Sequence, residues 1–347
     1  MIASFLAGNA RLTPARLTSV LVGCTVICAL VALLTPLVGV VTPNGRMELM
    51  SPAAIWSDHI DSTIYWNVRL PRTFAALLCG AALAGAGCAF QAVLRNPLAE
   101  PFTLGVSSGA SLFAVIAIRV GLASPLGAAG VGAAAVLGAI VAVAIVWRLA
   151  RVGDALPPAT LILAGVTVSM FCSAASMAIQ YTSSFSDVSR MLRWMMGGLE
   201  WTTYATVERA APAVGLGALV LLWQGRALNA MAAGPESAAS VGVDPDRTQT
   251  LSFGAASLLV GASIAVAGPV GFVGLIVPHA MRAIVGPDHR ALLPASMLMG
   301  AALVGACDTL ARMLGQFPVG IITALGGGPF FLVLLVRGKK HADLWRS

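Results

Sequence analysis

Few residues in this 347-residue chain have the type and spacing to do chemistry, and most are arginines at the edges of apolar runs. Arg69 and Arg72 stand just before one such run, and Arg312 lies near the end of a later one. A guanidinium either grips a carboxylate with a planar fork of donors or snorkels to a membrane surface. Lys339 and Lys340 are the only lysines and are followed by Lys and His. Neither completes a P-loop, which needs Lys and then Ser or Thr after a glycine-rich turn. Gly326-Gly327-Gly328-Pro329 has no lysine or strand beside it and reads as close helix packing or a bend. His279 and His289 are ten residues apart with no second ligand near either. His279, next to Pro278, is expected to satisfy backbone at a broken helix, and Met195-Met196 reads as packing. The six cysteines lie inside apolar runs without C-x-x-C spacing, which fits neither a disulfide framework nor a metal site. No nucleophile, acid–base pair or ligand set emerges, so no enzyme, metal or cofactor site is expected.

The elements that hold these residues are membrane spans. The chain is 58% hydrophobic and 10% charged, against about 25% charged in an average soluble domain, and its mean hydropathy is +0.88. The expected fold class is all-α, a polytopic membrane protein with about ten helices of roughly twenty residues. That leaves no room for a sizeable soluble domain, so residues 1–347 read as one transmembrane domain. The net charge of +7 sits in short clusters between apolar runs, which sets orientation and does not call for a nucleic-acid partner.

In chain order, residues 1–16 read as a polar segment and 17–41 as the first span, too long for a signal core. An outer loop with Trp56, Asp58, Asp61, Tyr65 and Trp66 is expected to carry an interfacial helix. The run 73–94 holds 22 uncharged residues, enough at about 1.5 Å each for the roughly 30 Å hydrocarbon core. Runs 102–118, 121–147, 156–181 and 204–223 give spans three to six, with 182–203 a distinctive loop between the last two. Residues 229–247 read as a loop bearing a short helix, opened by Pro235 and closed by Gly242. The 34 residues 248–281 lack Asp, Glu, Lys and Arg and are divided near Gly268-Pro269 into spans seven and eight. Runs 292–310 and 318–336 complete ten, and 337–347 is a basic tail. With both termini inside, 13 of the 21 Lys and Arg lie on the inner side.

The order of motifs resembles the FecCD or BtuC family, the permease subunits of ABC importers for iron-siderophores, haem and cobalamin. The resemblance rests on Arg69-Leu70-Pro71-Arg72, on Gln91 followed by Arg95-Asn96-Pro97-Leu98-Ala99, and on Gly105-Val106-Ser107-Ser108-Gly109-Ala110. Further matches are Trp194-Met195-Met196-Gly197-Gly198, residues 267–275, Val277-Pro278-His279, Gly286-Pro287-Asp288-His289-Arg290 and Pro318-Val319-Gly320. It implies a BtuC-like permease in a bacterial inner (plasma) membrane, with both termini cytoplasmic and iron(III)-siderophore as the first cargo. Haem and cobalamin are the alternatives. It also implies a second permease subunit, two copies of an ABC ATPase subunit, and a periplasmic or lipid-anchored substrate-binding protein, with lipid around them. Within the resemblance, Arg69, Arg72 and Arg312 dock the binding protein. Gly234, Pro235, Glu236, Ser237, Ala238, Ala239, Ser240 and Gly242 form the coupling helix that meets the ATPase. Asn96 and Leu98 lie where the path narrows, and Pro157 and Pro158 depart from the small polar residues expected there.

A transporter driven by an ion gradient is the rival from another class. It would place ionisable groups at mid-membrane, and Asp308 and Glu208, the nearest candidates, both lie near a span end.

Overall fold

The computed structural model describes residues 14–40, 47–49, 55–56, 60–151 and 157–343. Expectations about residues 1–13, Asp58 and the end of the basic tail at 344–347 fall outside these.

The bundle is built around α3 (Leu70–Val93). Nineteen of its 24 residues are buried, most of them Ala, Gly or Cys. The most apolar stretch of the helix through Ser62–Val93 is 78% buried, whereas that of α1 (Pro14–Leu34) is only 6% buried, so α3 lies inside the bundle and α1 on its rim. Small side chains explain the placement. Between helices in lipid there is little hydrophobic driving force, so association rests on close van der Waals packing, which small residues permit. A Cβ on Gly80 would run into the backbone of Gly300, and one on Gly87 into that of Gly274.

The remaining helices follow in order: α2 (Ile60–Ile64), joined to α3 by a π turn over Tyr65–Arg69; α4 (Val106–Arg119); α5 (Ala123–Ala150); α6 (Pro158–Tyr181); α7 (Phe185–Met195); α8 (Tyr204–Trp223); α9 (Gly225–Ala232); α10 (Pro235–Ser240); α11 (Pro245–Ala267); α12 (Val273–Val285); α13 (His289–Met313); and α14 (Val319–Asp343). Among the described residues, seven helices are long and apolar enough to cross a bilayer, and α4, α12 and the first part of α14 are shorter apolar helices. The chain is an all-α polytopic membrane protein.

Three features depart from the expectation. The loop 182–203 holds α7, an amphipathic helix whose N-cap Ser184 accepts the Asp187 N–H. A second short helix, α9, precedes α10. A small antiparallel hairpin, β1 (Val38–Val40) against β2 (Met47–Leu49), pairs Val38 with Leu49 after α1.

The apolar run 248–281 breaks where its glycines indicate. Gly268 ends α11 at φ 66° and Phe272 opens α12 at φ 67°. The open backbone is stitched to its neighbours: the Gly198 N–H donates to the Ala267 carbonyl (2.8 Å) and the Gly320 N–H to Gly197 (3.1 Å). Irregular backbone at membrane depth is tolerated when protein supplies such partners.

Gly80→Ala is expected to destabilise by about 1–3 kcal/mol through overpacking against Gly300. Gly215→Ala on α8, where an added Cβ meets nothing, should be neutral or stabilising by about 0.5–1 kcal/mol. Thermal unfolding of the purified chain in detergent compares the two.

Candidate functional site

The expected functional residues collect at opposite ends of α3, which at about 1.5 Å per residue is roughly 36 Å long. Arg69 and Arg72 stand at its start, and Arg312 joins them because α13 runs antiparallel to α3. Here Asp308, wholly buried, is the focus. Arg72 Nε donates to both Asp308 oxygens (2.9 and 3.1 Å), and Nη1 donates to Gln316 (3.3 Å). Arg312, one turn beyond Asp308, approaches the second carboxylate oxygen to 3.2 Å. Its Nη groups donate to the carbonyls of Val38 (2.7 Å) and Thr35 (2.8 Å), clipping the chain as it leaves α1. Arg69 donates to the Pro36 carbonyl at 3.3 Å. All three arginines are at most 7% exposed.

The three residues read as docking charges therefore hold the protein's own acid and carbonyls. The sequence carried a signal for this: Asp308 and Arg312 are spaced i,i+4, and an acid within an apolar run needs a partner. Removing one member of a buried pair costs about 3–5 kcal/mol, because the other charge stays buried without compensation.

The other end gathers the turn after α3, the α9–α10 segment and the start of α13. Asn96 accepts the Leu98 N–H at 3.0 Å through its own side chain, closing the turn, and Leu98 is 43% exposed. Arg95 lies against Gly234, its Nη1 3.9 Å from where a Cβ would sit. Gly234 takes φ 113°, the conformation that favours glycine, and hands the chain to α10. In α10 Ala238 alone is buried, while Pro235, Glu236, Ser237, Ala239 and Ser240 face outward, with Gly242 exposed beyond them. Pro157 and Pro158 open α6, with Thr160 donating to the Ala150 and Pro157 carbonyls.

A lock not anticipated from the sequence ties this segment to α13. Asn229 of α9 donates to Asp288 at 2.7 Å and accepts the backbone N–H of His289 at 2.8 Å. The same oxygen lies 2.8 Å from His289 Nδ1. Since an amide oxygen only accepts, Nδ1 carries the proton. Asp288 caps α13 through the Arg290 N–H (3.0 Å) and pairs with the Arg290 side chain (2.6 Å). The Arg290 guanidinium, with the Asn229 amide, holds the Asp288 carboxyl well below the usual carboxylate range. Nearby, Arg282 donates to Gln91 at 2.9 Å and Gln91 donates to the Gly274 carbonyl at 3.2 Å, fastening α3 to α12. Glu100 accepts the Phe272 N–H, and burial pushes its carboxyl upward.

His279 departs from the expectation. It makes no hydrogen bond among the described residues and instead sets its ring edge-on to Phe330, 6.5 Å between centroids. The carbonyl-satisfying role falls to other groups because α12 continues through Pro278. Gly327 packs against the Phe272 ring. Among the described residues, no three His, Cys, Asp or Glu side chains gather as metal ligands.

Residues 24–337 match the model of the FecCD transport family. The chain belongs to that family. It is 44% identical over 273 residues to the cobalamin import system permease protein BtuC of Halobacterium salinarum, covering 78% of this chain and 73% of that protein. It is 37% identical over 283 residues to the hemin transport system permease protein HmuU of Yersinia pestis, covering 80% and 84%. Its fold matches a solved inward-facing ABC transporter described as of metal-chelate type, with TM-score 0.80 and 29% identity over 92% of this chain and 99% of that one. The chain is an ABC importer permease of the FecCD family.

Two outcomes follow from the ends of α13. Asp308→Asn should lower stability by about 3–5 kcal/mol, and Asp308→Asn with Arg72→Gln should lose less than the sum of the singles. Thermal unfolding of all three variants reads this. For Asp288 the folded pKa is depressed, so its stabilisation is present above the ordinary carboxylate value of about 3.9 and is lost as pH falls through the folded one. The stability gap between wild type and Asp288→Asn should hold from pH ~7 to ~5 and narrow below pH ~4. A gap unchanged at pH ~3 would remove the ionic contribution.

Proposed function

We propose that this chain, with a second permease subunit, forms the membrane path of a binding-protein-dependent importer in a bacterial plasma membrane, and that two copies of a separate ATPase subunit drive it. The observation that carries the reading is the division of the bundle into two unlike ends. One end projects α10, a six-residue helix with a single buried anchor and every other side chain outward. An isolated helix that short is not stable in water, so a projecting one is well suited to seat in a partner's groove. That partner is the ATPase, with Glu236 and Ala239 on the contacting face. The basic bias toward the α10 end supports placing it, and both termini, in the cytoplasm.

The opposite end receives the loaded binding protein. Arg69, Arg72 and Arg312 are engaged internally, so acidic side chains of the binding protein reach them by displacing carbonyl or carboxylate acceptors already in place. Exchange of one charged acceptor for another fixes register more than it adds affinity. Asn96 and Leu98, in the turn beside Gly234, form the inner constriction and move with α10.

For cargo, a cobalt corrinoid of the cobalamin type takes first place, supported by the 44% identical relative named for cobalamin import. An iron(III)-siderophore complex is the second reading, favoured by the metal-chelate type of the solved transporter. Both are large metal chelates, and neither undergoes chemistry on the way.

Uptake into proteoliposomes containing this chain, its ATPase and its binding protein tests the reading. ATP-dependent accumulation should be greatest for cobalamin when cobalamin, haem and an iron(III)-siderophore are offered separately. Glu236→Lys with Ala239→Glu should reduce it about tenfold or more, the scale of a coupling free energy, with thermal stability unchanged. Uptake that persists without the ATPase would overturn the reading in favour of a gradient-driven carrier.

A further inference from the structure

Reaching Gln316 beside the Arg72 lock at one end, a groove of about 1560 Å³ opens along the side of the bundle between α5, α8 and α11, with α7 across that end. Drug-sized ligands occupy about 300–1,000 Å³, so this space is larger than such a pocket. One stripe of α11 forms its floor, from Thr250 through Gly254, Ser257 and Gly261 to Ala265 and Gly268. At about 1.5 Å per residue that stripe is roughly 27 Å long, close to the full hydrocarbon depth.

The polar atoms on its wall are distributed unevenly. At the α7 end stand Arg190, Arg193 and Arg209, with Glu200 the one acid among the lining residues. Trp194 and Trp201 flank them. Arg190 pairs with Asp187 at 2.6 Å. Arg193 and Arg209 are exposed and have no ion pair or hydrogen bond among the described residues. Deeper in, Ser257 is more than nine-tenths buried, and its hydroxyl has no partner. Beyond it the walls are Gly, Ala, Val and Ile, ending at Trp147 and Phe253.

We propose that this groove binds an anionic glycerophospholipid, its phosphate held by Arg193 and Arg209 and its acyl chains laid along Gly261, Ala262 and Ala265. Charge complementarity selects this occupant. A packed partner helix would be served by the small residues but not by two unpaired guanidiniums. A zwitterionic lipid carries its own cation toward those arginines and gains less. The test reads lipid retention and not transport, so it does not depend on the transport reading.

Native mass spectrometry of the full chain, purified in detergent and offered phosphatidylglycerol or phosphatidylcholine, reads retention directly. Wild type should retain phosphatidylglycerol over phosphatidylcholine by about tenfold or more, given the attraction of basic side chains to anionic lipid. Arg193→Gln with Arg209→Gln should bring the two lipids level, while Arg226→Gln in α9, beyond the other end of α8, changes nothing. Gly261→Leu, which fills the groove, should abolish retention of both. The two arginines are exposed, so their replacement tests the site even where Gly261→Leu fails to fold. Equal retention of the two lipids by wild type, or undiminished preference in the arginine double variant, would overturn the proposal. So would a second membrane protein cross-linked through Ala265→Cys in native membranes.

Discussion

Close backbone approach at α3 is the constraint on which the rest of the structure depends. In lipid, neighbouring helices are not driven together by exclusion from water, so they hold only where their surfaces fit. Gly80 against Gly300 and Gly87 against Gly274 bring α3 into direct backbone contact with α13 and with the start of α12. Gly109 and Gly138 do the same for α4 and α5. These contacts have no slack: helices whose backbones touch cannot slide without separating. The core around α3 therefore moves as a body, and conformational freedom is left to the rim, where α1, α6 and α8 are far less buried.

Charge enters this apolar body at few places, and the buried charges fasten one helix to another. Asp308 is the most demanding, because a fully buried carboxylate is tolerable only with compensation in place. Arg72 from α3 and Arg312 from its own helix supply that compensation, and Arg312 in turn satisfies carbonyls at the exit of α1. A single acid thus organises three chain segments. Such an ensemble adds little net stability over a hydrophobic replacement, yet it has few alternative arrangements, and its contribution is to geometry.

Much of the architecture was legible in the sequence, for reasons specific to membranes. The span Tyr204–Trp223 and the break at Gly268 follow from run length and from glycine and proline in an otherwise uninterrupted apolar stretch. Pro235 as the start of α10 follows from its fixed backbone angle. What escaped was amphipathic or long-range. Helix α7 mixes Ser, Asp and Arg with Met, Leu and Trp, which in a hydropathy reading looks like a loop. The Asn229–Asp288 lock joins residues 59 apart, and Arg72 and Asp308 are 236 apart. No local pattern brings such partners together. The arginines were picked out by motif as outward charges, whereas the structure turns Arg72 and Arg312 to an internal acid, whose i,i+4 spacing to Arg312 was already visible, and Arg69 to the Pro36 carbonyl.

The two ends of the bundle share one rod. Helix α13 is capped at its start by Asp288, which Asn229 ties to the segment bearing α10, and at its far end it carries Asp308 and Arg312, tied to α3. Its 25 residues, about 37 Å at 1.5 Å each, run between the two locks, with Gly300 held against the α3 backbone at Gly80 part-way along. A shared rod couples two sites only where its locks have alternative states. Arg72 has a second acceptor in Gln316, which sits at φ 66° immediately after α13, and Asp288 divides its oxygens between Asn229 and Arg290. Helix α13 is thus fastened by polar groups at its two ends and by direct backbone contact in its middle.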